Sequence, residues 1–330
     1  MGIEESESGI GAERHLEKRG DGLKGVQESS VICGLEIPRG YWRLQGGNMA
    51  GTLYLCATPI GNLQDMTPRV VETLRSVDVI AAEDTRNSIK LLNHFDIHTP
   101  MTSYHEYNKV EKAKQLVGQL LQGRDIALIT DAGTPAISDP GEVLVRMCHE
   151  NLVHVTSLPG PSACITALSL SGLPTRRFCF EGFLPGEKKE RREALEALRE
   201  ETRTMVFYEA PHHLQRTLEE LLECLGDRRV TLCRELTKKF ETVTLTTLGQ
   251  ALADCEREAP RGEYVLVVEG KSAQELRQEK IASWEAMTIE EHMEYYGRQG
   301  LDSKEAMKRV ARDRGVGKRE IYAHLHGLEP

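Results

Sequence analysis

Three short stretches carry residue types that could do chemistry together: "TPIGN" (58–62), "DAGTPAISDPG" (131–141) and "LPGPSA" (158–163). Each combines glycine, proline and a small hydroxyl. Glycine lets a backbone come close to a ligand, and proline stiffens the loop that does so. Contacts in such a site fall to backbone groups and short side chains. The candidates are Thr58, Pro59, Gly61 and Asn62, then Asp131, Gly133, Thr134, Pro135, Ser138 and Asp139, then Ser162 and Ala163. No stretch matches G-x-G-x-x-G or G-x-x-x-x-G-K-[ST]. No Lys or Arg lies within 58–62, 131–135 or 158–163, and a nucleoside triphosphate site without one would be unusual. A ligand that carries its own positive charge and little phosphate fits better, and S-adenosylmethionine is one such ligand.

The elements that position these loops are legible as alternation. "TLYLCAT" (52–58), "DVIAAED" (78–84), "DIALIT" (125–130) and "VHVTSLPG" (153–160) read as buried strands. Between them, Thr67-Pro68 starts one helix, a second runs to about His94, and "EKAKQLVGQLLQ" (111–122) is amphipathic. Strands alternating with helices at this pitch predict a mainly parallel sheet. All three loops then lie at carboxyl ends of strands, where open α/β sheets place ligands.

The second half predicts strands at 177–185, 203–211, 228–236, 241–249 and 262–270, with helices near 187–200 and 211–225. Strands that follow one another directly imply antiparallel pairing and an α+β domain. The expected division is a disordered extension (1–48), an N-terminal α/β domain (49–160), a second α+β domain (161–271), a linker (272–284) and a C-terminal helix-turn-helix-like module (285–330). A chain begun at Met49 is expected to fold as the whole one does. From Ser303 to Glu320, seven Lys/Arg face three Asp/Glu, a basic patch suited to nucleic acid or simply a solvated helical hairpin. "GEKKERRE" (186–193) is open to the same two readings.

Bulk properties narrow the class. The 330 residues suit two or three domains, and 39% hydrophobic with 28% charged residues suits a folded soluble chain. A net charge of −9 argues against simple coating of nucleic acid. No run approaches the ~20 apolar residues of a membrane helix, and the N-terminus has no signal core. "MGIEES" fits a myristoylation pattern short enough to arise by chance. Eight scattered cysteines without C-x-x-C argue for reduced thiols, a cytoplasmic setting and no metal.

Taken in order, "ATPIGNLQDMTPR", "DVIAAEDTR", "LITDAGTPAISDPG", "SLPGPSA", "EGFLP", "FYEAPHH", "CRELTKKFE" and "GEYVLVVEG" closely resemble the ribosomal RNA small-subunit methyltransferase I family of the tetrapyrrole-methylase superfamily. The resemblance runs from about Gly51 to Gly270, and the basic tail is similar to the family's C-terminal module. It implies a two-domain methylase with S-adenosylmethionine in the cleft between the domains, Tyr208 joining its contacts. The implied substrate is the ribose 2′-hydroxyl of a decoding-centre cytidine in 16S rRNA of the small ribosomal subunit. A homodimer is allowed and no membrane is involved.

A protonated ribose hydroxyl is a poor nucleophile, so a base would help by roughly 10²–10⁴. Glu83, Asp84 and Glu209 are candidates. Each also has a local role available: Asp84 as a helix cap, Glu83 pairing with Arg86, Glu209 in a turn. Arg86 would hold an RNA phosphate, and His105 in "SYHEYN" is a further candidate. Two rivals stand beside this reading. A corrin-ring C-methyltransferase would shift the Soret band of a bound tetrapyrrole. A non-catalytic RNA-binding protein would not bind S-adenosylmethionine.

Overall fold

The computed structural model describes residues 30–32, 35–37 and 50–327. Within the first 48 residues it describes an antiparallel pair, β1 (Ser30–Ile32) and β2 (Leu35–Ile37). The rest of the expected extension lies outside the described residues.

From Ala50 onward the chain forms two five-stranded sheets. The first holds β3 (Thr52–Cys56), β4 (Val79–Ala82), β5 (Met101–Ser103), β6 (Ile126–Ile129) and β7 (His154–Leu158), in the order β5-β4-β6-β3-β7. Every pairing is parallel. Parallel sheets are covered on both faces, and "VIAA" of β4 and "IALI" of β6 are buried at every position. Helices α1 (Pro68–Ser76), α2 (Thr85–His94), α3 (Lys109–Leu121) and α4 (Gly141–Glu150) supply the crossovers. One face packs Leu53 and Ile126 against Leu116 and Leu144; the other packs Ile80 and Ile129 against Leu74 and Leu92. Each such side chain contributes about 1.5–3 kcal/mol on burial.

The second sheet holds β8 (Phe178–Gly182), β9 (Thr204–Glu209), β10 (Arg229–Arg234), β11 (Thr242–Thr247) and β12 (Tyr264–Val268), ordered β11-β10-β12-β9-β8. Only β8 and β9 run parallel, joined across α6 (Lys188–Leu198). The others pair antiparallel, as their direct succession predicts. α7 (Pro211–Leu225) lays Leu214, Leu218, Leu221 and Leu225 onto one face. α5 (Ala163–Leu170) covers the other face with Cys164, Ala167 and Leu168. α8 (Leu248–Arg257) intervenes before β12. The reading from sequence lacked β5, α5 and α8.

The segment 272–284, expected as a linker, is helical. α9 (Ala273–Ala286) begins with a capping box between Ser272 and Glu275. α10 (Ile289–Arg298), α11 (Ser303–Arg314) and α12 (Lys318–His326) follow, and Gly315 reverses the chain between the last two at φ +66°. Ala306, Val310 and Ile321 bury together against Tyr296. Lys304, Lys308, Arg309, Arg312, Lys318 and Arg319 remain exposed. Arg314 turns inward and donates to the carbonyls of Met287 (2.6 Å) and Thr288 (3.0 Å), so it leaves the basic face.

Candidate active site

The three loops converge and are fastened to each other. Thr58 and Gly133 exchange backbone hydrogen bonds of 2.9 and 3.0 Å. The Thr134 hydroxyl donates to the Pro161 carbonyl at 3.0 Å. Thr58 is 1% exposed and its hydroxyl donates to the Thr130 carbonyl at 3.1 Å. Two hydroxyls expected at a ligand therefore hold loop to loop. Asn62 caps the short turn after it, accepting from the Gln64 N–H at 3.0 Å.

Asp139 of "DAGTPAISDPG" has a backbone reason. Ala136 (φ +67°) and Ser138 (φ +65°) both adopt the left-handed region, which costs of order 1–3 kcal/mol per non-glycine residue. Asp139 stabilises that path by accepting from the N–H groups of Ala136 (3.0 Å) and Gly141 (2.7 Å). Its second oxygen is buried without a partner, and burial pushes its carboxyl up. Asp139 thus shapes the loop. Pro135 is buried, whereas Asp131 and Ser138 face outward.

The loops meet the second sheet at two points. A Cβ on Gly61 would stand 2.5 Å from Lys238 Cγ and 3.0 Å from the Leu236 carbonyl. One on Gly182 would stand 3.1 Å from the Ser138 hydroxyl. Between these points lies a cleft of ≈ 490 Å³. Ile60, Asp131, Ala132 and Ala163 line it from the loops; Tyr208, Glu209, Leu236 and Lys238 line it from the second sheet. Tyr208 holds its ring against Phe180 (5.0 Å) and Phe183 (5.6 Å), and its hydroxyl accepts from the Cys164 N–H at 3.1 Å. Lys238 is matched by Glu235 (2.9 Å) and Glu263 (2.7 Å), so the wall carries little net positive charge. Concavities of ≈ 600 and ≈ 680 Å³ lie around α6 and around Gly270. They are lined mostly by charged side chains, whereas the cleft pairs apolar walls with a few polar groups, as ligand sites do. Phe183, Leu236 and Lys238 were not singled out from sequence; the Glu235–Lys238 spacing in "CRELTKKFE" was the available signal.

The four acid–base candidates separate. Asp84 caps α2, accepting from the Arg86 N–H at 2.8 Å, and takes the Arg86 guanidinium at 3.1 and 2.9 Å. These bonds hold its carboxyl down to about 2, the guanidinium contributing most. Arg86 pairs with Asp84, not with Glu83. Glu83 accepts from the Thr130 hydroxyl at 2.7 Å through one oxygen. Glu209, 6% exposed, accepts from the Ala210 N–H (2.9 Å) with one oxygen and the Thr217 hydroxyl with the other. His105 bonds Asn108 through Nε2 at 3.3 Å. Asp131 accepts from the Asp84 N–H at 3.2 Å, and burial, reinforced by the Glu83 charge, raises its carboxyl. Among the described residues no His, Cys, Asp and Glu group could hold a metal.

The Asp84 value has a consequence in acid. Its folded value lies below the ordinary 3.8, so the stabilisation is present above about pH 4 and fades as pH falls toward 2. Replacing Arg86 by Gln should return the carboxyl toward 3.8 in an NMR titration. A carboxyl still near 2 in that variant would assign the shift to the helix amides instead.

The family model of the tetrapyrrole (corrin/porphyrin) methylases matches residues 52–252. Proteins named ribosomal RNA small subunit methyltransferase I are similar over most of the chain. The one from Halalkalibacterium halodurans is 50% identical over 84% of this chain and 95% of its own. Those from Bacillus subtilis (46%, 85% and 96%) and Escherichia coli O157:H7 (51%, 69% and 81%) agree. The chain belongs to the ribosomal RNA small subunit methyltransferase I family of tetrapyrrole methylases. Solved structures share this fold at low identity. Diphthine synthase superposes with a TM-score of 0.53 at 13% identity over 67% of this chain and 91% of its own. The methyltransferase CobJ gives 0.51 at 19% over 67% and 95%. The methylase match ends at residue 252, ahead of the four helices from α9 to α12. Among the described residues, no helix of this methylase is long and apolar enough to cross a membrane.

Proposed function

We propose that the protein transfers a methyl group from S-adenosylmethionine to a ribose 2′-hydroxyl of 16S rRNA in the small ribosomal subunit, a decoding-centre cytidine being the target. The observation that carries the reading is the cleft itself. Three tied strand-end loops without Lys or Arg face a second sheet whose Lys238 is neutralised. That lining suits a cationic nucleoside better than a polyphosphate. The acidic Asp131 at its mouth suits an ammonium or sulfonium.

When bound, S-adenosylmethionine supplies an electrophilic methyl on sulfur. The chain's own contribution is alignment, which can supply several kcal/mol when the reacting atoms are held near attack distance. Tyr208, Ile60 and Ala163 give that ligand apolar walls, and the bonded loops fix where it lies. Glu83 is the base that the geometry favours. One of its oxygens is fixed by Thr130 and the other is left for the hydroxyl proton. Asp84 is tied to Arg86 and weakly basic, and both oxygens of Glu209 are engaged. The α/β domain (49–160) and the α+β domain (161–271) would form the cleft, α9 stands where a linker was expected, and the basic helical module would reach the RNA.

The deciding experiment is mass spectrometry of 16S rRNA from a strain lacking the gene, with and without complementation. A missing methyl group that returns with the gene supports the proposal; unchanged rRNA overturns it, and a Soret shift with added corrinoid would then favour the corrin-ring reading.

The basic module makes a separate prediction. Changing Lys308, Arg309 and Lys318 together to Gln should weaken binding of small subunits and flatten its salt dependence, by roughly 0.7–0.9 in logarithmic slope per lost phosphate contact. S-adenosylmethionine affinity, measured by calorimetry, should stay as it was. Unaltered subunit affinity in the triple variant would assign this face to solvent.

A further inference from the structure

The loop after β5 is not part of the cleft lining, yet it is built with care. Tyr107 on this loop is 98% exposed, more than any other large apolar side chain among the described residues. The loop beneath it is fixed. Tyr104 is 1% exposed, its hydroxyl donates to the Pro140 carbonyl at 2.8 Å, and its N–H donates to the Ala82 carbonyl at 2.8 Å. Asn108 then closes a turn, its side chain accepting from the His105 N–H at 2.9 Å and its own N–H donating to the His105 carbonyl at 3.0 Å. The His105 ring meets Tyr107 edge-on at 6.1 Å, and His105 Nδ1 is buried with no hydrogen-bond partner. An aromatic ring carried into water on a hydrogen-bonded turn is an arrangement that a stacking ligand would complete.

Position says which ligand. Ser103 lies opposite Ala82 in the parallel pair of β5 and β4. The loop carrying Tyr107 and the loop carrying Glu83 and Arg86 therefore leave neighbouring strands at the same sheet edge. Arg86 is 88% exposed there. We propose that Tyr107 is the stacking platform for the base of the acceptor nucleotide, an unpaired RNA residue turned out of its strand. Single-stranded RNA is held in this way, bases on aromatic faces and phosphates on nearby cations. With the base on Tyr107, Glu83 lies on the ribose side, and the exposed Arg86 N–H groups that Asp84 does not take are available to a flanking phosphate. The inference rests on the rRNA reading of the cleft.

The test uses the full chain and small subunits from cells that lack it, with kcat/KM for methyl transfer measured against subunit concentration. Tyr107→Ala should lower kcat/KM roughly 5- to 150-fold, the range for loss of one base stack. Tyr107→Phe should recover most of that loss, since the ring face does the stacking. S-adenosylmethionine affinity and melting temperature should not move in Tyr107→Ala, because the ring is in water and outside the cleft. Active wild type with Tyr107→Ala within twofold of it overturns the platform alone. Tyr107→Phe as impaired as Tyr107→Ala also overturns it, since the hydroxyl would then be the working group. Wild-type protein that leaves the subunit unmethylated overturns the rRNA reading and the platform with it.

Discussion

Gly133→Val is expected to lower S-adenosylmethionine affinity at least roughly tenfold, about 1.4 kcal/mol, and to destabilise the fold in the same preparation. Gly133 sits at φ +86°, where a β-branched residue is a true outlier. Forcing it there costs of order 1–3 kcal/mol. Space is not the decisive factor, since an added Cβ would meet Ile60 Cγ2 at 3.3 Å and the Pro161 carbonyl at 3.6 Å. The backbone is. If the residue relaxes to negative φ, the paired bonds to Thr58 break, and Ile60 and Asp131 of the cleft move with them. Gly133→Ala should show a weaker form of both effects. From sequence alone the glycine reads as room for a ligand. The direction of its missing Cβ, toward Ile60 and Pro161, makes it first a requirement of the loop, so affinity and stability should fall together. Calorimetry and thermal melts check this. Normal affinity with normal melting would mean that Gly133 does not set the loop.

Why some of this was legible and some not follows from particular elements. β4 and β6 are continuous apolar runs, and α7 repeats leucine at helical spacing, so local pattern and tertiary role agree. α5 was missed because "ACITALSL" is apolar nearly throughout. A helix with one face on a sheet and little polar contrast has no period to read. β5 is three residues long, too short for a pattern. α8 follows β11 without a break, and Thr247, its N-cap, is also the last residue of the strand. In the site, the loops declared themselves through glycine and proline. The jobs of their hydroxyls and acids did not. Whether Thr134 touches a ligand or Pro161, and whether Asp139 meets a ligand or two backbone amides, depends on partners far apart in sequence or on a strained path that composition does not reveal. The same holds for Lys238, whose importance comes from lying against Gly61.

That contact gives the last prediction. Gly61→Val should weaken S-adenosylmethionine binding by more than tenfold through a different cause, overpacking between the two sheets. An added Cβ would stand 2.5 Å from Lys238 Cγ, 2.8 Å from the Thr237 hydroxyl and 3.0 Å from the Leu236 carbonyl. The facing segment cannot yield cheaply. Glu235 (φ +51°) and Thr237 (φ +66°) are both left-handed, and Lys238 is held by Glu235 and Glu263. The loop 58–62 must therefore move instead, carrying Ile60 away from Leu236 across the cleft. Overpacking of this kind typically costs about 1–3 kcal/mol. Removing one obstacle should help in part. In the background of Lys238→Ala, which deletes the 2.5 Å contact but leaves the Leu236 carbonyl, the Gly61→Val penalty on affinity should shrink. A double-mutant cycle measures that coupling directly. A penalty of unchanged size in both backgrounds places the block at the Thr237 hydroxyl and the Leu236 carbonyl. Full affinity in Gly61→Val alone would show that the loop and the second sheet separate freely, and that the cleft does not depend on their contact.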